Sequence, residues 1–311
     1  VPRFRTLLAL GFIALSSLAL FVSRSDALPD TVRLIVPGVW FREGDLEGKG
    51  HCNNVVIEMK DYLIVVDANF PSGALAAMKD AKRISNKPVK YVFDTHHHGD
   101  HIYGNVLWTK GGATTLAFSA VADELKRLEP ARWKSAAESR EDVRALNAPS
   151  VEPPVKLITE SLFVLNDGSR KVEFRHFGWA HTRGDGFVYL PKDQLLCTGD
   201  AAVNGPYNYL GDGNLGNWPN VLRAAARLKI RHVLPGHGEP GGREILTGQE
   251  QFLVELHKGV KAAIDAGKKP EELEAAVSLP ESVKPWMGKG LNRLLHDAYE
   301  EISKGKPRGD L

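Results

Sequence analysis

The stretch Tyr91-Val92-Phe93-Asp94-Thr95-His96-His97-His98-Gly99-Asp100-His101 decides how this chain is read. It starts as an apolar strand and breaks at a glycine, and within six positions it offers His96, His98, Asp100 and His101 as metal-binding side chains. A strand end followed by a tight turn aims alternate side chains at one point, which is what a metal site requires. A lone histidine is ordinarily solvated or satisfied within the fold; four ligand types at this spacing are a different signal. Imidazole and carboxylate without a thiolate suit zinc, iron or manganese. Structural zinc sites favour closed, cysteine-rich shells, whereas hydrolytic sites keep a position open for water. The cluster therefore reads as catalytic. His97, between two ligands, points the other way and takes a structural role.

Working outward, three later strand ends each deliver one further ligand. His181 follows the strand-like 171–175 and the turn Gly178-Trp179-Ala180. Asp200 ends the apolar run 194–200, and His237 ends Arg231-His232-Val233-Leu234-Pro235-Gly236-His237.

On these residues the chain resembles the metallo-β-lactamase superfamily. That family's His-x-His-x-Asp-His motif matches His96, His98, Asp100 and His101; its next histidine matches His181, its bridging aspartate Asp200 and its last histidine His237. The resemblance runs from about residue 32 to about residue 242. It implies two divalent metal ions, zinc first, with iron or manganese as alternatives. His96, His98 and His181 would hold one, Asp100, His101 and His237 the other, with Asp200 between them. It also implies hydrolysis of an activated carbonyl (lactam, lactone or thioester) by a hydroxide bridging the metals, with Asp100 as the catalytic group that orients the attacking oxygen and carries its proton. Asp67, Asp94 and Asp185 are candidates for fixing the imidazole tautomers.

Departures narrow the choice. Asp200 stands where the largest group of true β-lactamases has cysteine, as in glyoxalase-II-like and lactonase-like members. His98 stands where flavodiiron oxidoreductases carry glutamate, and no flavodoxin-like domain follows. Between His181 and His237 there is no room for an inserted nucleic-acid-binding domain. A lactonase or glyoxalase-II-like thioesterase is the alternative reading. A phosphodiesterase is less favoured, because little basic character surrounds the proposed pocket. From another class comes a metal-binding accessory protein without turnover, against which the complete ligand set argues.

At 311 residues the chain can bury one sizeable α/β core. Arg3 and Arg5 precede an apolar stretch from about Leu7 to Val22, and Ser25-Asp26-Ala27 has the form of a cleavage site, so residues 1–27 read as a secretory signal peptide and the protein as periplasmic or secreted. An uncleaved anchor, the only route to membrane association, is the alternative. Removing that segment takes away three arginines and one aspartate, so the 40 basic and 38 acidic residues become 37 of each. A nucleic-acid binder carries a basic surplus; a small-molecule substrate is expected instead. Cys52 and Cys197 cannot make a disulfide framework, although one bridge between them is conceivable, and Cys197 reads as a small buried apolar residue.

Alternating strand and helix patterns predict an α/β fold, a four-layer αββα sandwich over residues 28–242, with a helical extension over residues 243–311 packed on it. Apolar spacing predicts helices over Ser72 to Ile84, Ile245 to Ala266 and Leu291 to Ile302. Ala120 to Asn147 is helical and highly charged, and a charge run ordinarily marks a solvated face. Arg42 to Gly50 reads as a hairpin loop where relatives carry a flap, putting His51 or Trp40 within reach of substrate. The loop Asn204 to Trp218 is long enough to be functional. Its Asn204, Tyr207, Asn208, Tyr209 and Trp218 are the candidate substrate contacts, with Asn214 and Asn217 beside them.

Overall fold

A computed structural model describes residues 31–288 and 290–311, so the leader expected at 1–27 lies outside the described residues. Short runs rich in valine, isoleucine and phenylalanine form twelve strands in two sheets among the described residues. In the first, β1 (Val32–Val36), β2 (Val39–Arg42), β3 (Asn54–Glu58) and β4 (Leu63–Val66) make an antiparallel meander. Then β5 (Val89–Phe93), β6 (Thr114–Phe118) and β7 (Lys156–Ile158) add in parallel. In the second, β8 (Leu162–Asn166), β9 (Lys171–Arg175), β10 (Phe187–Leu190) and β11 (Leu195–Gly199) are antiparallel, and β12 (His232–Pro235) pairs in parallel with β11.

The period of two along a strand assigns each residue to a layer. Val55, Ile57, Ile64 and Val66 point between the sheets, where they meet Phe174, Val188, Leu195 and Leu234 of the other sheet. Val56, Leu63 and Val65 point the other way, onto Ala74, Ala77 and Ala81 of helix α2 (Pro71–Ile84), which follows α1 (Leu46–Lys49). Alanines at that spacing let the helix lie close on the sheet. The next four helices are α3 (Gly99–Ile102), α4 (Asn105–Lys110), α5 (Ser119–Ser139) and α6 (Glu141–Arg144). Over the second sheet lie α7 (Trp218–Ala225), α8 (Glu244–Asp265), α9 (Leu273–Ala276) and α10 (Leu291–Lys304). Phe187, Leu196 and Val233 share one buried cluster there with Trp218, Leu222, Phe252, Leu256 and Leu295. This is the four-layer αββα sandwich with C-terminal helices that the sequence predicts.

Several expectations are corrected. Helix α5 is a surface helix, with Asp123, Lys126, Lys134 and Glu138 exposed as expected, but not all of its charge is solvated: Glu124 and Glu129 are buried with Trp133, and Arg132 reaches inward to Asp212. The hairpin loop at 42–50 holds a helical turn, α1, capped by Asp45. Trp40 packs on the α2 side of its sheet, away from the metal-ligand cluster. Both cysteines are buried and free; Cys197 packs in the core between the sheets, as expected.

The placement of the site follows from strand direction. Because β4 runs parallel to β5, and β11 to β12, their carboxyl ends open onto the same edge. In open α/β sheets that edge is where ligands bind. Asp67, His96, Asp200 and His237 each come just after one of these four strands.

Candidate metal centre

His98 Nδ1 lies 3.1 Å from His96 Nε2 and 3.0 Å from His181 Nε2. The far nitrogen of each ring is already engaged. His96 Nδ1 meets Thr95 Oγ1 at 3.0 Å, His98 Nε2 meets Asp212 Oδ2 at 2.7 Å, and His181 Nδ1 meets the Tyr209 carbonyl at 3.0 Å. A carbonyl or carboxylate partner must receive an N–H, so neutral His98 and His181 each turn a lone pair inward. Lone pairs about 3 Å apart repel unless a cation lies among them. Burial, together with the neighbouring imidazoles, holds His96 well below its ordinary pKa and His181 down at about 3, so both present neutral nitrogen.

The second group is richer in carboxylate. Asp100 Oδ2 stands 3.1 Å from His237 Nε2 and 3.4 Å from His101 Nε2. Both ring nitrogens of His101 are buried without a well-formed hydrogen bond, Nδ1 sitting 2.9 Å from Asp67 Oδ2. Asp200 stands between the groups, with Oδ1 2.9 Å from His237 Nδ1 and 3.5 Å from His101 Nε2, and Oδ2 3.9 Å from His181 Nε2. Despite burial, the surrounding acidic groups push His101 well above its ordinary pKa and His237 up to about 9; the two rings in turn hold Asp100 and Asp200 well below the carboxylate range. Protons here balance the charge that a divalent ion would bring, and metal binding releases such protons. The donor set fits divalent ions, with His96, His98 and His181 forming one candidate group and Asp100, His101 and His237 another.

The supporting carboxylates are of three kinds. Asp67, held at φ 66°, accepts from the Thr95 amide at 2.8 Å as well as facing His101. Asp94 accepts from Asn105 at 2.8 Å, and burial raises it well above the usual range. Asp185 accepts from the amide and hydroxyl of Thr182, beside His181, and burial pushes it up to about 7. A fourth, Asp212, was missed by sequence reasoning. It lies in Gly211-Asp212-Gly213, which reads as an ordinary turn, and its partner His98 is 114 residues away. His97, given a structural role, does turn from the cluster, and it too faces Asp212, at 3.3 Å.

Of the candidate substrate contacts, Asn204 and Tyr207 line a cavity of about 450 Å³ with His237, Asn53 and the loop 43–47. Tyr209 packs its ring against His98. Asn208 is tied to Gln249 at 2.9 Å. Trp218 is corrected from a substrate contact to a core residue: it is fully buried and donates to the Ala201 carbonyl at 2.8 Å. Asn217 is spent on the Trp179 carbonyl, and Asn214 Oδ1 accepts from the Asn217 amide.

His51 Nε2 meets Ser72 Oγ at 2.7 Å, and Ser72 Oγ donates to Asp142 Oδ2 at 2.6 Å. The residue types mimic a nucleophilic triad. The order does not: the serine stands in the middle and gives its only proton to the aspartate, so the histidine cannot be its base. His51 is thereby engaged away from substrate.

Backbone closeness also shapes the site. A Cβ on Gly236 would come within 2.3 Å of Asp200 Oδ1 and 2.9 Å of His101 Cε1. Gly236→Ala is expected to displace both ligands and lower metal affinity about 10- to 100-fold, as loss of outer support does. Chelator competition checks this; unchanged affinity in the variant would mean the site tolerates the displacement.

Comparison with known proteins agrees with this geometry. The family model described as Metallo-beta-lactamase superfamily matches residues 48–237, more than half of the chain. A metallo-beta-lactamase type 2 of Bacillus cereus is 25% identical over 202 residues, which cover 62% of this chain and 70% of that one. Among solved structures, a metallo-beta-lactamase from Pontibacter korlensis superposes with a TM-score of 0.58 at 20% identity, over 72% of this chain and 98% of its own. The stereoselective inverting sec-alkylsulfatase Pisa1 of Pseudomonas sp. gives a TM-score of 0.70 at 18% identity, over 87% of this chain and 50% of its own length. These structural likenesses concern the fold. With the fold, the family match from 48 to 237 and the ligand groups all on one sheet edge, the chain belongs to the metallo-β-lactamase superfamily.

Proposed function

We propose that this superfamily hydrolase uses two divalent metal ions, zinc in the first instance, to cleave an activated carbonyl in a small molecule, in the manner of a β-lactamase. The observation that carries the reading is the clustering of two donor groups, the first with its outer ring nitrogens engaged by Thr95, Asp212 and the Tyr209 carbonyl and its inner nitrogens converging. When bound, the ions would supply Lewis acidity, activating water and polarising the scissile group. His96, His98 and His181 would hold one, and Asp100, His101 and His237 the other, with Asp200 shared. The chain's own residues do the rest. Asp100, with 22% of its side chain exposed, is the site carboxylate most open to solvent and takes up the water's proton. Tyr207 offers an exposed ring 6.1 Å from that of His237 for substrate to lie against.

The cavity beside His237 carries Glu43, Asp45, Glu47 and Glu239 on its rim, with Arg33 paired to Glu43 and Glu239. Such a rim disfavours anions, phosphate and sulfate esters and carboxylate-bearing lactams or thioesters alike, and is matched best by a neutral acyl group such as a lactone. The address we propose is the periplasm or the exterior, resting on the arginine-flanked apolar stretch and the Ser25-Asp26-Ala27 segment.

The test is protein from Leu28 onward, assayed against a chromogenic lactam, a lactone and a thioester, with metal content measured in parallel. Two ions per chain with turnover, of the lactone above all, is the expected result. Turnover of only the lactam or thioester would replace the substrate and keep the chemistry. Fewer than one ion after zinc reconstitution would sink the proposal.

A further inference from the structure

We propose that Arg132 of helix α5 is a positioning residue for the three-histidine metal site, acting through Asp212 on His98. The inference rests on the two-metal reading above. Arg132 Nη1 lies 2.7 Å from Asp212 Oδ2 and Nη2 lies 2.8 Å from Oδ1, a two-pronged pair that fixes both the position and the plane of the carboxylate. The same Oδ2 receives His98 Nε2 at 2.7 Å. His98 is thereby held with Nε2 as donor and Nδ1 turned to His96 and His181. Of the three histidines, it alone is oriented by a side chain that is itself anchored by another side chain from a distant helix.

Three features separate this network from an incidental surface pair. Asp212 is 3% exposed, and its carboxylate is held by Arg132 and His98, with His97 Nε2 3.3 Å from it and 3.2 Å from Arg132 Nη1. Arg132 is anchored from behind by Glu129, also buried, which accepts from Tyr103 at 2.5 Å and lies 3.4 Å from Arg132. Asp212 sits on the loop between Asp200 and α7, so its carboxylate is placed by its side-chain partners, and of these Arg132 alone grips both oxygens. Two main-chain contacts help: Trp179 Nε1 donates to the Asp212 carbonyl at 2.9 Å, and the Gly309 amide donates to Gly213 at 3.0 Å. They hold the backbone, and His98 and His97 face Oδ2 only. The arginine supplies the remaining constraint, and a lysine in its place reaches only one oxygen at a time.

The experiment compares the wild type with Arg132→Met, Arg132→Lys and Asp212→Asn. It reads melting temperature, zinc affinity by chelator competition and the visible spectrum of the cobalt-substituted proteins. Arg132→Met and Asp212→Asn are expected to weaken one of two bound ions about 10- to 100-fold and to change the cobalt bands of that ion, leaving the other alone. Arg132→Lys is expected to fall between. A purely structural salt bridge would lower the melting temperature while leaving both affinities and the cobalt spectrum as in the wild type; that result, in any folded variant, overturns the proposal. Should Arg132→Met fail to fold, the lysine and asparagine variants still decide it. Wild type that binds two ions, with variants indistinguishable from it, overturns this inference alone. Wild type that binds none overturns the two-metal reading and this inference with it.

Discussion

Asp100→Asn is expected to fold as the parent does and to turn substrate over about 10³-fold more slowly, the scale of a lost general base. The amide is nearly isosteric and keeps one oxygen to face a cation, so the change falls on charge and proton acceptance. Asp100 Oδ2 stands 3.1 Å from His237 Nε2, and against burial the neighbouring rings hold its carboxyl well below the usual range, so it is anionic at neutral pH and can face a cation or accept a hydrogen bond from water. Metal content separates two ways of losing activity. If the variant keeps two ions and loses turnover, the carboxylate serves the chemistry; if it loses one ion, its first duty is as a ligand. Near-normal turnover with two ions would remove Asp100 from the mechanism.

How far the sequence could be read depended on the range of each interaction. The run from His96 to His101 was legible because strand and turn geometry is local: residues two apart share a face, and the chain itself sets their spacing. Asp200 and His237 were legible for a related reason, since each closes a short apolar run at a glycine turn, and parallel strands open at one edge. The sandwich followed from alternation within strands and helical spacing between them. Asp212 was hidden because nothing local marks it; its role arises from Arg132, 80 residues earlier, and His98, 114 residues earlier. Helix α5 was legible only in part: its outer charges are solvated as the run suggests, whereas Glu124 and Glu129 are buried and find partners in Arg127, Arg183, Tyr103 and Arg132. Long-range pairing can turn a polar stretch inward, and periodicity carries no record of it.

Trp218→Ala is expected to cost about 3–5 kcal/mol of stability, the range for truncating a fully buried aromatic, and to lower the melting temperature by roughly 10 °C for a chain of this size. The residue opens α7, where its ring joins Leu215, Val221 and Leu222 in the cluster shared with α8 and α10. Its indole N–H donates to the Ala201 carbonyl, one residue after Asp200, so the variant leaves that acceptor with only the 3.5 Å contact from Gln249 Nε2 as well as opening a cavity. The ring centroid lies 5.4 Å from that of His181, so the void would also loosen one wall of the three-histidine group, and metal affinity should fall along with stability. Tyr207→Ala makes the contrast. Tyr207 is 37% exposed beside His237, so its loss should leave the melting temperature within the small range of surface changes while raising KM. The aromatic loop would then divide into a core anchor at one end and a substrate wall at the other. A Trp218→Ala protein with the parent's melting temperature and a changed KM alone would reverse that division and return the tryptophan to the substrate pocket.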